Sequence, residues 1–229
     1  MAALPGQASA MTKAAPAPRL IVGLGNPGAE YAKTRHNAGF WFCEGLAHDL
    51  GARFSFESRF HGFVAHLREA GQWLLMPQTF MNCSGQAIGA FARFYRILPN
   101  EILVIHDELD LPPGQARLKF GGGSGGHNGL KDATAHLSVP DYWRLRIGIG
   151  HPGERGEVVN YVLKPPRQEE RAAIFEAIDR ALAVWPLLSG GDWEKASQRL
   201  NTRPKPPKSQ KPASPPEAPA SAADKELPP

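Results

Sequence analysis

The stretch Leu20-Ile21-Val22-Gly23-Leu24, which gives way at Gly25, constrains this chain more than any other feature. It is apolar along its length, has no polar side, and is halted by glycine, the pattern of a buried strand leaving into a loop. Ile102 to Ile105 repeats the pattern and runs into His106-Asp107. Other segments carry the helical period instead. Asn37 to Leu50 spaces Phe40, Leu46, Ala47 and Leu50 along one side, with Asn37 as its cap. Ser84 to Tyr95 does the same with Ile88, Phe91, Phe94 and Tyr95, capped by Ser84. Asn128 to Leu137, Val158 to Leu163, Gln168 to Leu188 and Asp192 to Leu200 are predicted helices as well. Phe60–Leu67 and Trp73–Met76, parted by Glu69-Ala70-Gly71, predict a hairpin, and Gln115–Phe120 and Arg144–Ile149 alternate as strands do. Strands interleaved with helices predict an α/β fold: a single three-layer domain with helices around a mixed, partly parallel β-sheet.

With 229 residues the chain has material for one sizeable core. Composition divides it into a leader over residues 1–18, a body over 19–200 and a tail over 201–229 rich in Pro, Ala, Lys and Ser, expected to be disordered. The leader has neither the apolar stretch of a secretory signal nor the arginines of a transit peptide. No apolar run approaches the roughly 20 residues that span a bilayer, so no membrane association is expected. Two cysteines, Cys43 and Cys83, make no disulfide framework and suit a cytoplasmic protein. The net charge of +4 decides nothing about nucleic acid, because most of the excess lies in the tails. Lys13 stands alone in the leader, and five cations face three acids in the tail. Any RNA contact of the body must come from a local patch.

Gly23-Leu24-Gly25-Asn26-Pro27-Gly28 matches the G-x-G-x-x-G fingerprint of dinucleotide sites. The context fails. Pro27 removes an N–H where a pyrophosphate needs donors, and six residues from Glu30 to Arg35 intervene before the helix cap. Asp49 lies at a suitable distance but inside a helix rather than at the end of a second strand. The glycines instead let the backbone turn and present Asn26 to a cleft.

Active residues of open α/β sheets gather at the carboxyl ends of buried strands. The polar residues there are Asn26, Asp107 and the pair His127-Asn128, with His36, Asn37 and Asn82 close by in sequence. Imidazole titrates near neutrality and can take a proton from water, while a carboxylate on its other nitrogen fixes the tautomer. Side-chain amides can steady an oxyanion. No Ser or Cys occupies a nucleophile elbow, so water is the expected nucleophile. Each residue also has a plainer reading: His36 as a surface histidine, Asp107 as a turn acid, Asn82 and Asn128 as helix caps. His36, His106, His127 and His151 lie near loops without the spacing of a strong metal site, and neither metal nor cofactor is expected.

Five blocks in order carry a resemblance. They are Leu20 to Gly28 continued through Glu30-Tyr31 and Thr34-Arg35-His36-Asn37-Ala38-Gly39; Pro77 to Gly85; His106 to Pro112; Gly121 to Lys131; and Arg144 to Gly150. Together they span nearly all of residues 19–200, and over that range the chain resembles bacterial-type peptidyl-tRNA hydrolases. The resemblance implies hydrolysis of the ester between peptide and tRNA, with peptidyl-tRNA as the partner, no obligate protein partner evident, and ribosome rescue the setting. It implies His36 as the catalytic base, Asp107 as its orienting partner, and Asn26 and Asn82 holding ester and water, with Asn82 at the oxyanion. Asn128 would bind the peptide backbone or the terminal adenosine, His127 would lie nearby, and Tyr31 and Met81 would line the cleft. Lys119 and Arg146 match the positions that clamp the 5′ phosphate of the acceptor end.

Arg117, Lys131 and Arg144 are expected beside that clamp, since Arg144-Leu145-Arg146 puts two arginines on one strand face. The loop from Gly121 to Gly126 reads as a mobile lid or as a point of close backbone approach. Two rival readings stay open at this level: a silent RNA-binding module, and a dinucleotide-dependent oxidoreductase.

Overall fold

The computed structural model describes residues 15–202. Seven strands form one sheet in the order β2-β3-β4-β1-β5-β7-β6. They are β1 (Leu20–Gly23), β2 (Ser55–Glu57), β3 (Gly62–Leu67), β4 (Gln72–Pro77), β5 (Ile102–Glu108), β6 (Ala116–Phe120) and β7 (Trp143–Gly148). The central strands β4, β1, β5 and β7 run parallel, while β2, β3 and β6 join antiparallel at the two sides. Helices are α1 (Ala38–Asp49), α2 (Ser84–Tyr95), α3 (Asn128–Leu137), α4 (Val158–Val162), α5 (Gln168–Ala183), α6 (Trp185–Ser189) and α7 (Trp193–Asn201).

Two cores arise because successive side chains of a strand point to opposite faces. Ile21, Leu103, Ile105, Leu145 and Ile147 meet α1, α5, α6 and α7 on one face. Leu20, Val22, Ile102 and Val104 meet α2 and α3 on the other. Leu20, Ile21 and Val22 are wholly buried, each worth roughly 1.5–3 kcal/mol of burial. The result is the expected three-layer, mixed-sheet α/β domain.

Several local expectations need correction. Asn37 occupies the N-cap position of α1, but its side chain makes no cap bond. It is spent on the backbone of Asn26 instead, accepting from Asn26 N–H at 2.9 Å and donating to Asn26 O at 3.0 Å. Ser84 is the first residue of α2 rather than its cap, with Oγ–H donating to Met81 O at 2.9 Å. The cap of α3 is His127, whose Nδ1 accepts from Leu130 N–H, and not Asn128. β5 runs on through Glu108 because its ladder continues, His106 opposite Arg146 and Asp107 opposite Ile147. The predicted helix from Gln168 to Leu188 divides at Val184 into α5 and α6. Pro186, lacking an N–H, cannot continue the i to i−4 ladder of α5. Phe60 belongs to a 3-10 turn, and β2 was not foreseen.

The first residues described lie against the body. Pro16 O accepts from Trp193 Nε1 at 3.1 Å, and Pro18 O from Gln72 Nε2 at 2.7 Å. The expectations for the rest of the leader and for the tail beyond Thr202 fall outside the described residues.

Candidate active site

A cleft of about 830 Å³ opens at the carboxyl ends of β1 and β5. Its placement begins with glycines. A side chain on Gly23 would meet Gly39 O, and one on Gly39 would meet Ile105 O and the Leu24 backbone, so β1 and α1 touch backbone to backbone. The Phe40 ring covers Gly25 in the same way. Gly23 and Gly25 therefore serve strand–helix contact, and α1 opens at Ala38, ten residues beyond Gly28, leaving no helix N-terminus at the motif for a pyrophosphate. The loop between β1 and α1 closes on itself through the two Asn37–Asn26 bonds. Asn26 is buried, and its Oδ1 accepts Met81 N–H at 2.7 Å. That bond fixes the amide orientation and leaves the NH₂ as a donor without a protein partner among the described residues.

The 3-10 turn Arg35–Asn37 delivers His36 into the cleft beside the end of β5. His36 Nδ1 lies 2.9 and 3.0 Å from the two oxygens of Asp107. His127 Nε2 lies 3.0 Å from Asp107 Oδ1. A carboxylate only accepts, so both ring nitrogens facing it carry protons. His127 accepts Leu130 N–H on its other nitrogen and is thereby fully engaged. His36 is different: among the described residues no protein hydrogen bond engages Nε2, and its side chain keeps 12% exposure. The geometry thus leaves one unprotonated imidazole nitrogen facing the cleft.

Electrostatics follow the same arrangement. Burial disfavours a charged His36, but the charge of Asp107 and the hydrogen bond to it win, and the pKa rises above 6.5. Burial pushes the Asp107 carboxyl up, yet His36 and His127 hold it far below the ordinary carboxylate range. His106, sealed under this pair, donates Nδ1–H to Asp107 O at 2.6 Å and has a buried Nε2 without a protein partner. Burial first, and the neighbouring His127 second, lower its pKa to about 3, so it stays neutral.

The remaining residues named from the sequence divide in two. Tyr31, Met81, Asn82, His127 and Asn128 all line the cleft with Asn26, His36 and Asp107. Met81 is buried, while Asn82 and Asn128 are exposed at its rim. Lys119 and Arg146 are not among its lining residues. They sit on the neighbouring sheet face, where β6 and β7 pair Arg117 with Arg146 and Lys119 with Arg144, so four cations share one side. Arg144 is no surface cation, contrary to expectation: it is buried, and its guanidinium donates to Gly122 O and Gly123 O at 2.6 Å each. The glycine loop is tied at that end. Arg117 is bonded to Asn201 Oδ1 at 2.8 Å, and Lys131 is exposed on α3.

Residues the sequence reading passed over complete the site. Phe80, 59% exposed, meets the Tyr31 ring edge-on at 6.3 Å and lines the cleft. Val158, Val159, Val162 and Leu163 form an apolar part of its wall. Arg35, buried next to His36, donates to the carbonyls of Tyr161, Lys164 and Pro165 at 3.1 Å and to Glu170 at 2.6 Å. Its place beside His36 in a recurrent block was the only signal for it.

His36, Asp107 and His127 bring three ligand-type atoms within 4.8 Å of one another. As a donor set they fit a cation poorly, because the nitrogens that face Asp107 carry protons and His127 Nδ1 is taken by Leu130 N–H. The arrangement suits proton transfer better than coordination.

The sequence profile of the peptidyl-tRNA hydrolases matches residues 20–209 of the chain. A peptidyl-tRNA hydrolase of Azoarcus sp. is 75% identical over 189 residues, covering 82% of this chain and 87% of the relative. One from Aromatoleum aromaticum is 74% identical over 190 residues, covering 83% and 97%. Among solved structures, peptidyl-tRNA hydrolase from Acinetobacter baumannii superimposes with a TM-score of 0.78 at 49% identity, covering 80% of this chain and 94% of that one.

Proposed function

This chain belongs to the peptidyl-tRNA hydrolase family and hydrolyses peptidyl-tRNA, and from that premise we propose how its cleft breaks the ester. The reading is carried by one observation: Asp107 grips Nδ1 of His36 at 2.9–3.0 Å while Nε2 faces the cleft unengaged. Nε2 takes a proton from water as the water oxygen attacks the ester carbonyl carbon. Asp107 stabilises the imidazolium that forms. Asn82 steadies the oxyanion, and the free NH₂ of Asn26 holds the ester or the water. On collapse the imidazolium returns its proton to the departing ribose oxygen. The products are a free peptide carboxylate and intact tRNA.

Peptides differ in side chains, so the shared backbone must be read, and amides that both donate and accept suit it. Asn128 at the start of α3 takes the backbone or the terminal adenosine. Tyr31 and Met81, with Phe80, flank the ends of the substrate at the reacting ester. His127, spent on Asp107 and Leu130, supports the carboxylate. Lys119 and Arg146 take the acceptor phosphate as charge-assisted contacts. The cytoplasm is the compartment we infer, supported by two unpaired cysteines. No helix among the described residues is long and apolar enough to cross a membrane.

The direct test is peptide release from purified N-acylaminoacyl-tRNA, with and without a chelator. Full activity in chelator and a loss of about 10²–10⁴-fold in kcat for His36→Ala are expected. Near-normal turnover by that variant would remove His36 from the reaction.

A further inference from the structure

Glu108 ends β5 one residue beyond Asp107 and joins the cleft wall to the cationic sheet face. Its Oε2 accepts Arg146 Nε–H at 2.7 Å, with the two side chains 16% and 21% exposed respectively. Its Oε1 accepts the backbone N–H of Asp110 at 3.1 Å. Both oxygens are therefore placed, and the carboxylate cannot swing without releasing the turn that follows β5.

Two of the neighbouring cations are spent otherwise. Arg144 is held by the glycine-loop carbonyls and lies 4.7 Å over the Tyr142 ring. Arg117 is bonded to Asn201. Arg146 gives Glu108 only its Nε. A guanidinium carries five N–H groups in a fixed fork, and among the described residues no protein hydrogen bond engages Nη1 or Nη2 of Arg146. A carboxylate that neutralised this arginine as a rival to phosphate would take the two-nitrogen edge, fork to fork. Glu108 holds Nε alone and leaves the Nη1/Nη2 edge open.

We propose that Glu108 is a positioning residue for substrate binding: by fixing Nε of Arg146 it presents the Nη1/Nη2 edge to a phosphate of the tRNA. This rests on the reading of Arg146 as a phosphate contact. The arginine is ordered before the RNA arrives, so the ordering cost is not charged to binding. One strand end thus carries two adjacent carboxylates with separate duties, Asp107 for the base and Glu108 for the RNA.

The test measures KM and kcat for Glu108→Ala, Glu108→Gln, Arg146→Gln and the double variant Glu108→Ala/Arg146→Gln. Two substrates are used: N-acylaminoacyl-tRNA, and the N-acylaminoacyl ester of adenosine, which lacks the acceptor phosphates. Glu108→Ala should raise KM for the tRNA substrate roughly 3- to 10-fold, the worth of pre-ordering one arginine, and leave KM for the adenosine ester unchanged. Glu108→Gln keeps one acceptor for two donors, so its KM should fall between. The double variant should match Arg146→Gln alone, since the two residues act as one unit.

An unchanged or lowered KM for Glu108→Ala, beside a raised one for Arg146→Gln, overturns the positioning role and leaves the phosphate contact standing. Equal losses on both substrates overturn it too, placing Glu108 in the cleft through the Asp110 turn. If Arg146→Gln itself has no effect on KM, the phosphate contact fails and Glu108 has nothing to position.

Discussion

As the proposed base, His36 answers two opposing demands, since a base must be neutral to take a proton and yet be stabilised once it has one. Asp107 meets the second at the expense of the first by raising the imidazole pKa. Activity should therefore climb with pH through a value above 6.5 as the ring gives up its proton. In Asp107→Asn the carboxylate charge is gone while burial remains, so the acid limb of kcat/KM should move to lower pH and the plateau should fall. A limb that stays in place would assign the titration to another group. At this scale the sequence was only half legible. His36, Asp107 and the asparagines could be named because strand ends and recurrent blocks mark them. His127 could be named with them, but not its place as the second imidazole on Asp107, because that engagement depends on a backbone N–H of Leu130 that no residue pattern announces. Asn37 misled for a similar reason: a residue that caps helices in general was needed to tie down its own loop.

Among elements, β1 and α1 set the position of the loop that carries Asn26 and His36. Their approach depends on Gly23 and Gly39. Gly39→Ala would force a methyl into Ile105 O and the Leu24 backbone, so overpacking should cost about 1–3 kcal/mol. Because both ends of the Asn26–Asn37 loop would shift, kcat should drop well beyond what the thermal midpoint alone would account for. Unaltered turnover in a destabilised variant would detach the loop from this contact. The buried strands and amphipathic helices were readable because burial on both faces or on one stripe leaves a period in the residues. β2 was not. It has three residues, and Ser55 and Phe56 are exposed, so no period could form. β5 ran longer than its apolar stretch because ladder bonds to β7 do not require apolar side chains, and that extra length is where His106, Asp107 and Glu108 sit.

For the molecule as a whole, charge distribution matters more than net charge. Four cations gather on one face of β6 and β7, which an overall count of +4 could not reveal. Architecture was legible from the order of strands and helices, whereas the long-range ties between layers were not. The Arg35 guanidinium joins the turn bearing His36 to the end of α4 and the start of α5, and lies 4.0 Å over the Tyr161 ring. Arg35→Lys keeps the charge but loses the planar fork. Losing one or two such bonds should cost on the order of 2–3 kcal/mol, or about 5–10 °C in Tm. The variant should also lose turnover on the adenosine ester, which has no phosphate to bind; full activity there would make Arg35 a matter of stability alone. The apolar wall from Val158 to Leu163 and the turn bearing His36 share this peg, and the wall has a second tie in Tyr161 Oη–H, which donates to Ile149 O at 2.6 Å. Swinging that wall outward to admit a bulky peptide would pull on the turn that carries the imidazole, so gaping on this flank should slow the reaction.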